Sequence, residues 1–221
     1  MSLSGWLLDI LFPPRCAFCG ALVEPGSEGI CPACRKTLPW SDHPRRRIDF
    51  VSSVSAPLYY EDAVRRAMLD YKFHGARARG EVFGWLVALD IQSNEDADYD
   101  VVTWAPLSRR RERSRGYDQA QLIAQAAAKT LGLEARPLLR KVRHVPPQSG
   151  VTSPEARRAN VTGCYAVRDP EMVAGRRILL IDDVITTGAT VSECARMLML
   201  SGAESVSAAA LAMRRKEKKN S

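Results

Sequence analysis

The sequence predicts an α/β fold, a mainly parallel sheet flanked by helices, with a small cysteine-rich segment in front of it. Beyond residue 50, short apolar runs alternate with helix-like segments, the rhythm typical of a parallel sheet. One run, residues 177–182, is apolar throughout its centre, as expected of a strand buried on both faces. Residues 1–40 instead contain many prolines, glycines and cysteines. We therefore expect a separate small unit at the N-terminus.

The composition is that of a globular chain. The 221 residues are 46% hydrophobic and 26% charged, which argues against a mainly disordered or fibrous protein. No apolar run reaches the roughly 18 residues of a membrane span. Residues 3–12 are apolar, but Asp9 interrupts them and two prolines follow, so they predict a short amphipathic helix and not a signal peptide. We expect a cytoplasmic protein without a membrane span.

Four of the six cysteines form two CxxC pairs, Cys16 with Cys19 and Cys31 with Cys34. Disulfides are disfavoured in the cytosol, and two such pairs can supply the four thiolates of a closed, tetrahedral zinc site. A redox site is the alternative, but neither pair opens a helix after a strand, as a thioredoxin-like site requires. We predict a structural Zn²⁺, with the two remaining cysteines as buried thiols.

The next segments lead from the cysteine pairs into the sheet. Residues 41–49 predict a linker and residues 50–58 a strand. Residues 61–71 and 81–91 predict two helices because their apolar side chains recur at helical spacing. We expect Trp85 to lie in the core, a base-stacking platform being the alternative.

A strongly basic stretch occupies the middle of the chain. The net charge is +7, and residues 101–150 alone carry ten basic and three acidic side chains. After a strand that Pro106 stops, five arginines fall within residues 109–115, too many for a helix face without partners, so we predict a loop. Guanidinium groups match the geometry of phosphates. The stretch indicates a polyanionic partner, either a phosphorylated small molecule or a nucleic acid.

The remaining elements continue the alternation. Residues 118–131 predict a helix and residues 146–154 a long polar loop. Residues 190–200 predict the last helix and residues 206–211 the last strand. Residues 215–221 form a basic tail.

Two carboxylates and a polar turn follow the apolar strand at residues 178–181. Asp182 and Asp183 stand at its carboxyl end, and the turn Thr186-Thr187-Gly188-Ala189-Thr190 then opens a helix. At such a turn, free backbone N–H groups and the helix dipole bind phosphate, and Gly188 lets the backbone approach an anion closely. Paired carboxylates suit ribose hydroxyls, directly or beside Mg²⁺. An ordinary polar turn is the alternative.

Residues 178–190 resemble, at all thirteen positions, the phosphoribosyl-pyrophosphate (PRPP) signature of the type I phosphoribosyltransferases. The resemblance implies that Asp182 and Asp183 bind the ribose hydroxyls and that residues 186–190 hold the 5-phosphate. It further implies a pyrophosphate loop after the earlier strand, formed by Leu107, Ser108, Arg109 and Arg110. A solvated basic surface and a nucleic-acid patch are the alternatives for that loop.

The order of motifs along the chain resembles the ComF family, whose members join an N-terminal zinc ribbon to a phosphoribosyltransferase domain. Besides the cysteine pairs and the PRPP loop, the shared pieces are Tyr71-Lys72-Phe73-His74-Gly75, Pro106-Leu107-x-Arg109, Arg113-x-x-Gly116-Tyr117-Asp118-Gln119, Gln148 and residues 157–161. His144-Val145-Pro146-Pro147 departs from the family, which usually has a threonine there. The resemblance implies a ribbon over residues 1–44, a transferase-like domain over 45–214, and a lid near Gln148.

The same resemblance implies a function. We expect PRPP, or another phosphorylated ribose, to bind with Mg²⁺. From PRPP the phosphoribosyl group would pass to an acceptor that the sequence does not identify, and pyrophosphate would be released. Asp182, Asp183, Arg109 and Lys72 are the expected catalytic residues, a surface lysine being the alternative for Lys72. The resemblance also implies a link to DNA uptake. The competing hypotheses are a non-enzymatic protein that handles single-stranded DNA or partners a competence helicase, and a PRPP sensor without turnover.

Overall fold

The computed structural model describes residues 13–24, 26–43, 46–93, 98–143 and 160–215. The helix predicted over residues 3–12, most of the predicted lid, including Gln148, and the tail from residue 216 lie outside this part of the chain.

The described residues contain seven strands: β1 (Val54–Ser55), β2 (Leu58–Tyr59), β3 (Val101–Trp104), β4 (Leu139–Lys141), β5 (Tyr165–Val167), β6 (Arg177–Ile185) and β7 (Ser205–Met213). Five of them form one parallel sheet. Four follow the order β1-β7-β6-β3, and the fifth, β2, pairs with β7 nearer its carboxyl end than β1 does. β4 and β5 form a separate antiparallel pair. The α/β fold with a parallel sheet is therefore confirmed.

Six α-helices lie wholly within the described ranges: α1 (Pro32–Thr37), α2 (Asp62–Phe73), α3 (Arg79–Gln92), α4 (Arg109–Arg115), α5 (Gln119–Leu131) and α6 (Ala189–Leu200). A short 3₁₀ turn at Pro170–Met172 precedes β6. The boundaries of α5 follow from its ends. The Asp118 carboxylate accepts the backbone N–H of Gln121, and Gly132 stops the helix in the left-handed conformation.

β6 is buried on both faces, and its side chains alternate between two cores. Leu179 and Ile181 pack in the core that contains α3 and α5. Ile178 and Leu180 pack in the core on the other face, which contains α6. The apolar run from which this strand was predicted thus reflects helices on both sides of the sheet.

The cysteine-rich segment packs against the core that contains α3 and α5, and does not form a separate unit. The rings of Phe18 and Phe83, on α3, lie 5.5 Å apart between centroids. Ile30 and Leu38 are buried in the same cluster as α3 and α5. Gly29 has a positive φ, and a Cβ there would lie 2.4 Å from Val82 Cγ2, so the segment approaches α3 closely.

Three elements differ from the sequence prediction. The strand predicted over residues 50–58 is two short strands, β1 and β2. The prediction of a loop over residues 109–115 is wrong, because these residues form helix α4. Ser108 caps α4 at its start, and Gly116 ends it in the left-handed conformation. α4 has no buried residue, so water can reach its side chains. The β4–β5 pair was not predicted.

Candidate functional site

A cavity of about 260 Å³ opens at the carboxyl ends of β3 and β6. Such an edge of a parallel sheet is the usual ligand site of an α/β fold. Its walls carry the carboxylates Asp182 and Asp183, the cations Lys72, Arg111, Arg115 and Lys141, and the hydroxyls of Tyr60, Tyr165, Thr186 and Thr190. A set of cations around two carboxylates suits a ligand that combines phosphates with sugar hydroxyls.

The two adjacent carboxylates lie in β6 between its buried residues 178–181 and 184–185. Asp182 accepts the backbone N–H of Asp183 at 2.8 Å. Burial, and then repulsion from the Asp183 carboxylate, raise the pKa of Asp182 to about 8, against the attraction of Lys72. A carboxyl group that resists ionisation gains from any ligand that brings hydroxyl donors or a cation.

Lys72 stands at the end of α2 and faces this pair. Its Nζ lies 2.8 Å from Asp183 Oδ2, and the two side chains are only 18% and 15% exposed. Burial alone would lower the pKa of Lys72, but the charge and hydrogen bond of Asp183 outweigh it and raise that pKa. Lys72 therefore remains an ammonium in the cavity and is not a surface lysine.

Hydrogen bonds from two tyrosine hydroxyls fix the end of α2 beside Lys72. The Tyr117 hydroxyl donates to the backbone carbonyl of Tyr71, and the Tyr71 hydroxyl donates to the carbonyl of Gln119 at 3.1 Å. The amide oxygen of Gln119 accepts a hydrogen bond from Arg115 Nη1 at 2.8 Å. Two of the segments that carried the family resemblance therefore meet, and together they position Lys72 and Arg115 at the cavity.

The turn between β6 and α6 is held from outside by the predicted linker. Gly188 has a φ of 83° and is the N-cap of α6. A Cβ on Gly188 would lie 2.8 Å from Ile48 Cδ1. Arg46 donates to the backbone carbonyls of Thr186 and Arg214. Arg46 and Ile48 were not predicted, because nothing local in residues 41–49 signals a contact with a turn about 140 positions away.

The loop after β3 is anchored by a buried carboxylate. Asp118 accepts the backbone N–H of Leu107 at 2.8 Å and is 5% exposed. Burial raises the pKa of Asp118 to about 6, although the backbone N–H donors of Leu107 and Gln121 oppose the shift. The loop therefore keeps Leu107 at the cavity wall and leads directly into α4.

α4 presents only some of its arginines to the cavity. Arg111 and Arg115 are four positions apart and share one helix face, and both line the cavity. Arg109 and Arg110 are exposed and are not among its lining residues. Ser108 is buried and caps the helix. Of the four residues assigned to the pyrophosphate loop, the structure brings Leu107 to the cavity.

The β4–β5 pair supplies a further wall that the sequence did not indicate. Lys141 Nζ donates to the Tyr165 hydroxyl at 3.0 Å and lies 4.8 Å from the centroid of that ring. Burial, and then repulsion from Arg111, lower the pKa of Lys141. Finding these residues from the sequence requires the strand pairing, and neither strand has a distinctive pattern.

The four cysteines of the N-terminal segment converge on one point. Their sulfur atoms all lie within 4.8 Å of one another, and no other such cluster of Cys, His, Asp and Glu occurs in the described ranges. Burial opposes the Cys16 thiolate, but backbone N–H donors outweigh it and lower its pKa to about 6. Four clustered sulfurs, one of them a ready thiolate, fit a closed structural zinc site.

Comparison with known proteins agrees with both parts of the chain. The family model for the phosphoribosyl transferase domain matches residues 118–221, and that for the double zinc ribbon domain matches residues 7–45.

None of the described helices is long and apolar enough to cross a bilayer.

Three curated relatives are similar to the chain. It is 22% identical to Competence protein F of Haemophilus influenzae over 87% of this chain and 93% of that protein. It is 26% identical to Competence protein ComFC of Streptococcus pneumoniae over 86% and 84%. It is 32% identical to DNA utilization protein YhgH of Escherichia coli O157:H7 over 48% and 46%, about half the length of each.

Among solved structures, the chain is similar to the glutamine PRPP amidotransferase of B. subtilis. The identity is 23% and the TM-score 0.42, over 60% of this chain and 26% of that one. The adenine phosphoribosyltransferase of Thermoanaerobacter pseudethanolicus is 16% identical with a TM-score of 0.38, over 61% and 81%.

Proposed function

This chain belongs to the ComF family, in which a zinc ribbon precedes a phosphoribosyltransferase domain, and from that premise we propose that it binds PRPP with Mg²⁺ at the carboxyl ends of β3 and β6. The observation that carries the proposal is the cavity in which Asp182 and Asp183 face four cationic side chains. PRPP combines the two chemistries that these walls offer, since it has ribose hydroxyls and phosphates.

In this proposal the β6–α6 turn holds the sugar phosphate. Asp182 and Asp183 accept the ribose hydroxyls, and Thr186, Thr187, Gly188, Ala189 and Thr190 hold the 5-phosphate with backbone N–H groups and hydroxyls. The partial positive charge at the start of α6 adds to the attraction. Ile48 and Arg46 act through the turn, because they hold its backbone in the shape that phosphate binding needs.

The cations receive the pyrophosphate. Lys72, Arg111, Arg115 and Lys141 line the cavity together with Leu107. Arg109 and Arg110, which the sequence assigned to this role, are exposed and do not line the cavity, so Arg111 and Arg115 take their place. Ser108 contributes as the cap that starts α4.

The carboxylate pair fits Mg²⁺, which prefers oxygen ligands and is usually held by one or two carboxylates together with substrate phosphates. Asp182 and Asp183 would hold it, and the ion would neutralise charge on the departing pyrophosphate. The residues of the chain orient the ribose and keep the pyrophosphate in place while an acceptor displaces it at C1. Lys72 is already charged, so it can stabilise that leaving group without gaining a proton.

Calorimetric titration with PRPP in the presence of Mg²⁺ tests the proposal. We expect saturable binding by the parent chain and none by Asp182→Ala/Asp183→Ala. Glu204→Ala is the matched control, because Glu204 is an exposed acid away from the cavity. Binding that survives the double substitution, or that is absent from the parent, would overturn the proposal. A pyrophosphate assay with candidate acceptors then separates a transferase from a sensor without turnover.

A second candidate is a role in handling single-stranded DNA, alone or with a competence helicase. It is supported by the names of the similar proteins, competence proteins and a DNA utilization protein. The ten basic side chains of residues 101–150 also favour it. If phosphates dominate, binding to a labelled single strand must weaken steeply with salt, and a flat salt response would reject this role.

A further inference from the structure

A second cavity, of about 360 Å³, lies between the zinc ribbon with its linker and helix α3. Among the described residues, it shares no lining residue with the cavity at β3 and β6. Its volume lies in the range of small-ligand pockets, which are often found between domains. Its walls combine two indole rings, Trp40 and Trp85, with the polar groups of His43 and Asp90.

Trp40 is held rigidly although it is 42% exposed. Its indole N–H donates to the backbone carbonyl of Arg35 at 2.8 Å, which fixes the plane of the ring. On each side of Trp40 the chain is paired with the segment around β2, since Ser41 N donates to Pro57 O and Tyr59 N donates to Pro39 O, both at 2.8 Å. A large aromatic surface that is both exposed and rigid is a prepared stacking platform.

One face of α3 forms the opposite wall. Trp85 and Leu89 are four positions apart, as are Leu86 and Asp90, so all four point the same way. Leu89 is 42% exposed and Trp85 is half-buried. An apolar helix face that remains open to a cavity is a common mark of a binding site.

Asp90 places a hydrogen-bond acceptor at the floor of this apolar space. The residue is 8% exposed. The Ser55 hydroxyl donates to its Oδ2, and its Oδ1 lies 3.5 Å from His43 Nδ1. A carboxylate among these apolar walls suits a ligand that is flat, largely apolar on its faces, and able to donate N–H groups from its edge.

We propose that this cavity binds an unpaired nucleobase. The indoles of Trp40 and Trp85 supply the stacking surface, and Asp90 with His43 reads the N–H groups of the base edge. Stacking on aromatic side chains is the general mode by which proteins bind unpaired bases. Phosphate is not the main determinant, because Arg35, the one arginine or lysine among the described lining residues, is paired with Glu28 at 2.5 Å.

The base can be that of a free nucleotide or one in a single strand, and the test separates the two. The probes are a fluorescein-labelled 12-mer of mixed sequence, the same 12-mer with every base removed, and the four deoxynucleoside monophosphates. The variants are Trp40→Ala, Trp40→Phe and, as matched control, Phe50→Ala, which removes an aromatic residue that is 52% exposed outside the cavity.

Fluorescence anisotropy should show that Trp40→Ala binds the mixed 12-mer about 5- to 100-fold more weakly than the parent does. Trp40→Phe should recover most of the loss, Phe50→Ala should change nothing, and the abasic strand should bind all variants alike. If the monophosphates bind with the same dependence on Trp40, the ligand is a free nucleotide, and if only the 12-mer does, it is a strand.

Three results would overturn the proposal: equal binding of the mixed and abasic strands, with no binding of the monophosphates; equal effects of Trp40→Ala and Phe50→Ala; or equal losses for Trp40→Phe and Trp40→Ala. The outcome does not depend on PRPP. Trp40→Ala should leave PRPP binding unchanged, and Asp182→Ala/Asp183→Ala should leave base binding unchanged, so that failure of one proposal is distinguishable from failure of the other.

Discussion

At the residue scale, the chemistry of the main cavity depends on two neighbouring carboxyl groups in unequal environments. Asp183 has Lys72 at 2.8 Å, whereas Asp182 is buried beside the charge of Asp183 and its pKa is raised to about 8. The folded chain thus holds a proton on Asp182 that an unfolded chain releases near pH 4. The arrangement favours ligand binding at the expense of stability.

Asp182→Asn should stabilise the chain in a pH-dependent way. Because the folded state binds the Asp182 proton more tightly than the unfolded state does, the parent loses stability relative to the variant as the pH rises from about 4 to about 8. Below that window the pH-dependent difference in stability between parent and variant is absent, and above it that difference is constant. Urea denaturation in buffers without Mg²⁺ measures it, with Glu204→Gln as control. A difference that shrinks as the pH rises would contradict this account of Asp182.

Lys72→Met should destabilise the chain by about 1–3 kcal/mol, because it leaves Asp183 partly buried without its counter-charge. Denaturant unfolding at neutral pH measures the loss. Lys72→Met/Asp183→Asn should regain most of this stability, since no unpaired charge remains, and should still fail to bind PRPP. If the double variant is no more stable than Lys72→Met, the ion pair is not the cause.

At the element scale, the cavity depends on the contact that joins the end of α2 to the start of α5. The Tyr117 hydroxyl donates to the backbone carbonyl of Tyr71, the Tyr71 hydroxyl donates to that of Gln119, and the two rings lie 5.5 Å apart between centroids. Neither tyrosine lines the cavity, but the residue after Tyr71 is Lys72. The two tyrosines are therefore positioning residues.

Tyr117→Phe should lower the free energy of unfolding by about 1–2 kcal/mol, because the carbonyl of Tyr71 loses its buried donor. PRPP affinity should fall as well, since the end of α2 that carries Lys72 is released. Chemical denaturation and calorimetry measure the two effects, with Tyr99→Phe as control. Loss of stability with unchanged affinity would show that the contact does not position Lys72.

Elements with strong local signals were predictable and long-range contacts were not. β6, α5 and α6 were predicted near their observed positions, because an apolar run, an Ala- and Gln-rich segment and a glycine stop are all local. The helical state of residues 109–115 was missed, because a solvated helix has no apolar periodicity. The same holds within the site, where Asp182 and Lys72 were found from motifs but Arg46 and Lys141 reach it only through the tertiary fold.

At the scale of the whole molecule, the zinc ribbon and the sheet share one core. Phe18 and Ile30 lie in the cluster that also contains α3 and α5. The ribbon also forms one side of the second cavity through Ile30 and Arg35. We propose residues 1–44 and 45–214 as domains in the sequence, with 215–221 as a tail, but expect the first two to unfold as a single unit.

Removal of zinc should therefore destabilise the entire chain. Four thiolates without a metal ion cannot hold the ribbon closed, and its loss exposes the apolar face of α3. We expect one thermal transition at a lower temperature after zinc is stripped or after Cys16→Ser, followed by circular dichroism with metal analysis of the same samples. An unchanged main transition would show that the sheet folds independently of the ribbon.

The central claim, that the cavity at β3 and β6 is the PRPP site, is tested most directly by two variants that lose equal charge from the same helix. Arg111→Gln/Arg115→Gln changes the two arginines that line the cavity, and Arg109→Gln/Arg110→Gln changes two exposed ones. Calorimetric titration with PRPP and Mg²⁺ should show binding reduced at least tenfold in the first variant and nearly unchanged in the second. Equal losses in both, or a loss confined to the second, would contradict the claim.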